Sequence, residues 1–184
     1  MPASTPSDAR TLAILVDNEP GVLARVVGLF SARGYNIESL TVAETDRAAH
    51  TSRITVVTRG DPATIDQIKS QLDRIVSVRQ VIDVSMDPGG VLRELALVKV
   101  RSTGQDRIEA LRVSDIFRAK VIDTTLESFI FEVTGASEKI DAFIELMRPI
   151  GLLELSRTGV LSIHRGIETD LSTVESPAPI ASTR

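Results

Sequence analysis

Asparagine, proline and glycine gather in the turn Asn18-Glu19-Pro20-Gly21, directly ahead of an apolar helical stretch, and a second asparagine, Asn36, follows that stretch. An asparagine side chain offers both a carbonyl acceptor and an amide donor. Glycine at position 21 removes a side chain where the first N–H groups of a helix lack intrahelical partners, so a small anion can approach them. A carboxylate placed there gains about 0.3–1 kcal/mol from the helix dipole, and up to ~2 kcal/mol when partly buried. An ammonium group needs acceptors, which asparagine carbonyls and strand-edge carbonyls supply. Val22, Leu23 and Ile37 bring aliphatic surface to the same neighbourhood. Carboxylate, ammonium and aliphatic side chain together describe a free amino acid, and these residues favour a pocket for one. Taken alone, Asn18 reads more readily as a turn former and helix N-cap. Asn36 is harder to explain as structure, because asparagine is disfavoured in strands. The two asparagines bracket one helix and are expected at the same edge of a sheet.

Other chemistries are poorly supplied. The 184 residues include no cysteine, which excludes disulfides, thiolate metal sites and cysteine nucleophiles. His50 and His164 are the two histidines; both are expected to be solvated surface residues, and no spacing suggests a Ser/His/Asp set or a metal cluster. No glycine-rich loop ends in Gly-Lys-Ser/Thr. Arg101, Arg107, Arg112 and Arg118 read as ordinary surface charge. A net charge of -4 and 3% aromatic residues argue against a general nucleic-acid binder. No apolar run approaches the roughly 18 residues of a membrane span. Met1–Arg10 is polar and carries no signal-peptide core. A cytoplasmic protein is expected.

The elements that must position the turn follow from hydrophobic periodicity. Strands are expected at 11–16, 37–43, 52–58 and 78–84. The intervening helices are expected at about Gly21–Arg33, ended by Gly34, and from Asp61-Pro62, an N-cap followed by proline at the first helical position. This β-α-β-β-α-β order folds as a split βαβ unit, a four-stranded antiparallel sheet with both helices on one face. Residues 85–90 (Met86-Asp87-Pro88-Gly89-Gly90 at their heart) read as a linker, after which the order repeats over 91–166. In that half the helix Gln105–Phe117 is expected to turn Ile108, Leu111 and Ile116 inward, and Val160–Ile163 is a short apolar extension. The class is therefore α+β: two tandem ferredoxin-like βαββαβ domains, at 10–84 and 91–166. The lead-in 1–9 and the tail 167–184 are expected to be disordered. With helices on one sheet face only, the other face needs a partner, so a dimer or larger assembly is expected.

Asn18-Glu19-Pro20-Gly21-Val22-Leu23 resembles the turn signature of ACT domains, small ligand-binding modules of this element order. The longer run from Gly28 through Gly34-Tyr35-Asn36-Ile37-Glu38-Ser39-Leu40-Thr41 to Ala43 resembles the regulatory (small) subunit of acetolactate synthase, also called acetohydroxyacid synthase. The likeness continues in Ser52-Arg53-Ile54-Thr55, Arg93–Val100, Ile116-Phe117-Arg118 and Ser156-Arg157-Thr158-Gly159. It implies that the first domain is an ACT domain in a non-catalytic chain that homodimerises through it. Such a chain binds a catalytic large subunit, activates it and confers feedback inhibition by a branched-chain amino acid, usually valine. Thiamine diphosphate, magnesium and FAD belong to that large subunit, with no cofactor in this chain. The implied effector contacts are Asn18, Gly21, Val22, Leu23, Asn36 and Ile37. A stand-alone amino-acid sensor acting on another enzyme or on a transcription factor is the alternative.

Overall fold

A computed structural model describes residues 9–165 of the chain; of the lead-in 1–9 only Ala9 is described, and it opens the first strand instead of being disordered, while the rest of the lead-in and the tail 167–184 lie outside the described residues. The first half runs β1 (Ala9–Asp17), α1 (Val22–Arg33), β2 (Ile37–Asp46), β3 (Thr51–Arg59), α2 (Pro62–Leu72) and β4 (Val78–Asp83). Its strands are antiparallel neighbours in the order β2-β3-β1-β4. The second half runs β5 (Gly90–Arg101), α3 (Gly104–Phe117), β6 (Lys120–Thr124), β7 (Ser128–Gly135), α4 (Ser137–Gly151) and β8 (Leu152–Arg157), with the equivalent order β6-β7-β5-β8. The α+β class and the two ferredoxin-like sheets match the expectation.

Local chemistry explains the boundaries. Gly34 ends α1 in the left-handed region at φ 70°, its N–H facing the carbonyls of Phe30 and Ser31. Asp61 caps α2 by accepting from the Thr64 N–H at 2.7 Å, with Pro62 in the first turn. That hydrogen bond, before any other cause, holds the Asp61 carboxyl below its ordinary pKa. On β1, Leu12, Ile14 and Val16 join Val26, Phe30, Ile65 and Ile68 in the first core, at the period-two spacing of a strand and the wider spacing of the helices. The residues 85–90 are shaped rather than slack: a 3-10 turn covers Val84–Met86, and Gly90 already belongs to β5.

Three expectations are corrected. Helix α3 buries Ala110, Val113 and Ser114, while Ile108, Leu111 and Ile116 are exposed. The rings of Phe129, Phe131 and Phe143 fill the second core, so the helix approaches with its small side chains. Secondly, the short apolar extension Val160–Ile163 belongs to a further strand: Leu161–His164 forms β9, which pairs with Gly90–Arg93 of β5. This two-stranded ribbon lies against the helix-free face of the first sheet, where Arg53 Nη2 donates to Ser162 Oγ at 3.2 Å. Thr11, Ala13, Leu15, Thr55 and Val57 of that face are buried within one chain, so a partner subunit is not needed to cover it. Finally, His164 is largely buried, its Nδ1 against the Asp87 carboxylate, instead of solvated.

Candidate functional site

The turn between β1 and α1 is fastened by five residues: Arg25, Glu44, His50, Ser77 and Arg79. The Asn18 N–H donates to the His50 carbonyl at 2.7 Å and the Asp17 N–H to the Ser77 carbonyl at 2.8 Å. Asp17 also pairs with Arg79, whose Nε donates to Oδ1 at 2.6 Å. Glu19 accepts from Arg25 Nη2 at 3.0 Å and from the hydroxyl of Ser77. The Ser77 hydrogen bond is the main cause of a Glu19 pKa below the ordinary glutamate value; slight burial opposes it and Arg25 reinforces it. Asn18 Nδ2 reaches Glu44 Oε1 at 3.3 Å. Sequence reading singled out neither Arg25, Glu44, Ser77 nor Arg79. Glu44, Ser77 and Arg79 lie 26, 58 and 62 positions from the turn residues they bind, so only folding brings them there, whereas Arg25 comes from the first turns of α1 itself.

Gly21 is the N-cap of α1, at φ 84° in the left-handed region, and no side chain caps the helix. The N-cap reading of Asn18 is therefore replaced: Asn18 holds the turn, three residues earlier. A Cβ at position 21 would meet no atom within 4 Å, so the ground in front of the helix is open. Val22 is buried in the core, whereas Leu23 is 38% exposed and offers aliphatic surface beside the bare N-terminus. Backbone donors, a side-chain amide and a small apolar wall can together seat a zwitterion.

Asn36 and Ile37 lie elsewhere. The Asn36 carbonyl accepts from Thr58 Oγ1 at 2.6 Å, and Ile37 pairs with Thr58 and packs on the first core. Asn18 adjoins the opposite end of β3, at His50–Thr51. From Thr51 to Thr58 is ~23 Å at ~3.3 Å per residue. The shared-edge expectation is thus corrected: α1, with 12 residues, carries the chain ~18 Å along the sheet. β1 and β2 are parallel, so a helix joining them must end at the other end of the sheet.

Among the described residues no group of three or more acidic or histidine side chains is placed to hold a metal ion, and no helix is long and apolar enough to cross a membrane. The fold, with its open glycine-capped helix, is that of a module of the ACT type. Residues 12–80 match the family model described as the AHAS small subunit-like ACT domain, and residues 93–166 match that for the small subunit of acetolactate synthase. The chain belongs to the acetolactate synthase small-subunit family. It is 46% identical to the probable acetolactate synthase small subunit of Archaeoglobus fulgidus, over 85% of this chain and 96% of that one. Its identity to the acetolactate synthase small subunit of Haemophilus influenzae is 44%, with the same coverage of each. The crystal structure of the small subunit from Thermotoga maritima superposes with a TM-score of 0.78 at 39% identity, covering 86% of this chain and 98% of that one. A small subunit of this enzyme implies a catalytic large subunit as partner.

Proposed function

We propose that this chain binds the thiamine-diphosphate-dependent large subunit of acetolactate synthase in the cytoplasm, raises its activity and makes it subject to feedback inhibition by valine. Thiamine diphosphate, magnesium and FAD stay with the large subunit. The observation that carries the effector site is the uncapped, unobstructed N-terminus of α1 at Gly21, with Asn18 and Leu23 beside it. The effector carboxylate meets the N–H groups of Leu23 and Ala24, since that of Val22 is taken by the Glu19 carbonyl, and its side chain rests on Leu23, Val22 lying beneath in the core. Asn36 and Ile37 complete the seat from a second copy of the chain. Antiparallel packing of α1 and β2 against their own copies across a two-fold axis sets the start of one α1 beside the end of the other. Charge-assisted hydrogen bonds of roughly 1.5–3 kcal/mol each, less ordering costs, give micromolar to millimolar affinity, suited to sensing a metabolite. Valine and leucine differ by one methylene, worth only ~1–3 kcal/mol, so preference between them is modest.

The test is activity of the cognate large subunit with and without this chain, titrated with valine, leucine and isoleucine. Activation by the chain and inhibition only in its presence are expected. Equal inhibition of the large subunit alone would remove the regulatory assignment.

A further inference from the structure

The second half touches the first along β2, the strand that begins at Ile37. The N–H of Val160 donates to Ser39 Oγ at 3.2 Å, and Thr41 Oγ1 lies 3.3 Å from the carbonyls of both Thr158 and Val160. Gly159 sits between these two hydroxyls at φ 80°. A Cβ there would stand 2.4 Å from Ser39 Oγ and 2.9 Å from Thr41 Oγ1, so the turn lies on β2 only because position 159 is glycine.

Both sides of this contact are built to carry a displacement. Thr158 is bound to β5 through its N–H to the Leu95 carbonyl at 3.0 Å and by accepting from the Leu95 N–H at 3.1 Å. One residue away on each strand, Arg157 grips the buried Glu94 with Nε at 2.6 Å and Nη2 at 2.7 Å. Gly159 is thereby tied through its two preceding residues to β5 and β8, inner and edge strands of the second sheet. On β2 the register slips between Ile37 and Ser39. Residues two apart in a regular strand share a face; here Ile37 packs on the helical core while Ser39 meets the second half. A bulge re-aims the residue beyond it when it shifts. Glu38, at the slip, is anchored by Arg59 Nε at 2.5 Å. A cleft of about 790 Å³ lies beside the contact, bounded by Glu38, Arg59, Glu94 and Arg157.

We infer that Ser39, Thr41 and Gly159 are positioning residues of a joint that transmits occupancy of the effector seat at Asn36–Ile37 to the second half of the chain. This rests on the effector reading above. With valine seated against Ile37, the slip in β2 takes one of two registers, and the hydroxyl contacts to Thr158–Val160 are made in one and lost in the other. Couplings of this kind span roughly 5–150-fold in affinity.

The experiment uses the full chain and the reconstituted holoenzyme, with the double variant Ser39→Ala/Thr41→Val, which removes both hydroxyls and keeps the strand. Three readouts are taken: valine binding by calorimetry, valine inhibition of the holoenzyme, and amide exchange of Val160–Ile163 with and without valine. Wild type is expected to bind, to be inhibited and to change its exchange at Val160–Ile163. The variant is expected to bind valine within about threefold and still to activate. Its inhibition midpoint is expected to rise at least tenfold, a step inside the stated coupling range, and its exchange response to stop short of Val160. Ser39 with Thr41→Ser, which retains the hydroxyls, should behave as wild type. Gly159→Ala, acting from the opposite side, should reproduce the split should the double variant misfold. Wild-type inhibition in a folded double variant overturns the joint while leaving the effector site standing. Absence of valine binding to wild type overturns the effector reading, and the joint with it.

Discussion

Asn18 and Asn36 mark opposite ends of β3: the first donates its N–H to His50, just before the strand begins, and the second accepts from Thr58 near its end. One amino acid cannot span the ~23 Å between them within one chain. If both contact the effector, each seat takes one asparagine from either copy of a dimer, and a dimer holds two seats.

Asn36→His tests the far side of that seat. The side chain is exposed, and only its backbone carbonyl serves the fold. Activation of the large subunit is expected to persist while valine inhibition falls at least tenfold, a loss of about 1.4 kcal/mol or more of effector binding. An unchanged inhibition curve in the steady-state assay would move the seat away from Asn36.

Gly21→Asp tests the near side. At φ 84° any side chain is strained, by roughly 1 kcal/mol, although space for it is open. Its carboxylate occupies the place of the effector's own, held by the same N–H groups. Calorimetry is expected to show valine binding weakened beyond detection in a folded, activating chain; retention of wild-type affinity counts against the anion seat.

Glu19 gives a pH dependence of defined sign. Its pKa is lowered in the folded state, chiefly by Ser77, so its contribution is present above the unfolded value near ~4.3 and is lost as pH falls through the folded value. Glu19→Gln is therefore expected to lower Tm at neutral pH. The gap should close on acidification below the ordinary glutamate range. A calorimetric Tm difference that stays constant down through that range would show that the carboxylate charge is not what fastens the turn.

Glu94→Ala removes the buried acceptor of Arg157, whose pKa is raised further above its ordinary value, first by the hydrogen bond to Glu94. Glu94 is 4% exposed and also accepts from Ser137 Oγ at 3.1 Å. Breaking a buried pair costs about 3–5 kcal/mol; with Arg157 a third exposed and retaining Asp141 at 2.7 Å, about 2–3 kcal/mol is expected. Urea unfolding followed by circular dichroism reads this as a lower midpoint. A midpoint within error of wild type would mean the pair contributes no net stability.

The order of elements, the glycine stop at Gly34, the Asp61 cap and the family likeness were all legible along the chain, because each depends on residues a few positions apart: a period of two or 3.6, a left-handed φ, a short side-chain reach. Tertiary structure decided the rest. Which face of α3 turns inward depended on how much space three phenylalanines left, and the periodicity of Ile108, Leu111 and Ile116 carried no record of that. The ribbon over the first sheet, the pairing of Glu94 with Arg157 and the clamp of Glu19 by Ser77 join residues 58 to 121 positions apart where they are hydrogen-bonded. The separation of Asn18 from Asn36 follows from strand direction, which a linear sequence does not display until β1 and β2 are laid parallel on either side of β3. Local rules single out Asn18, Gly21 and Asn36; only the path of the chain through the sheet places the two asparagines at opposite ends.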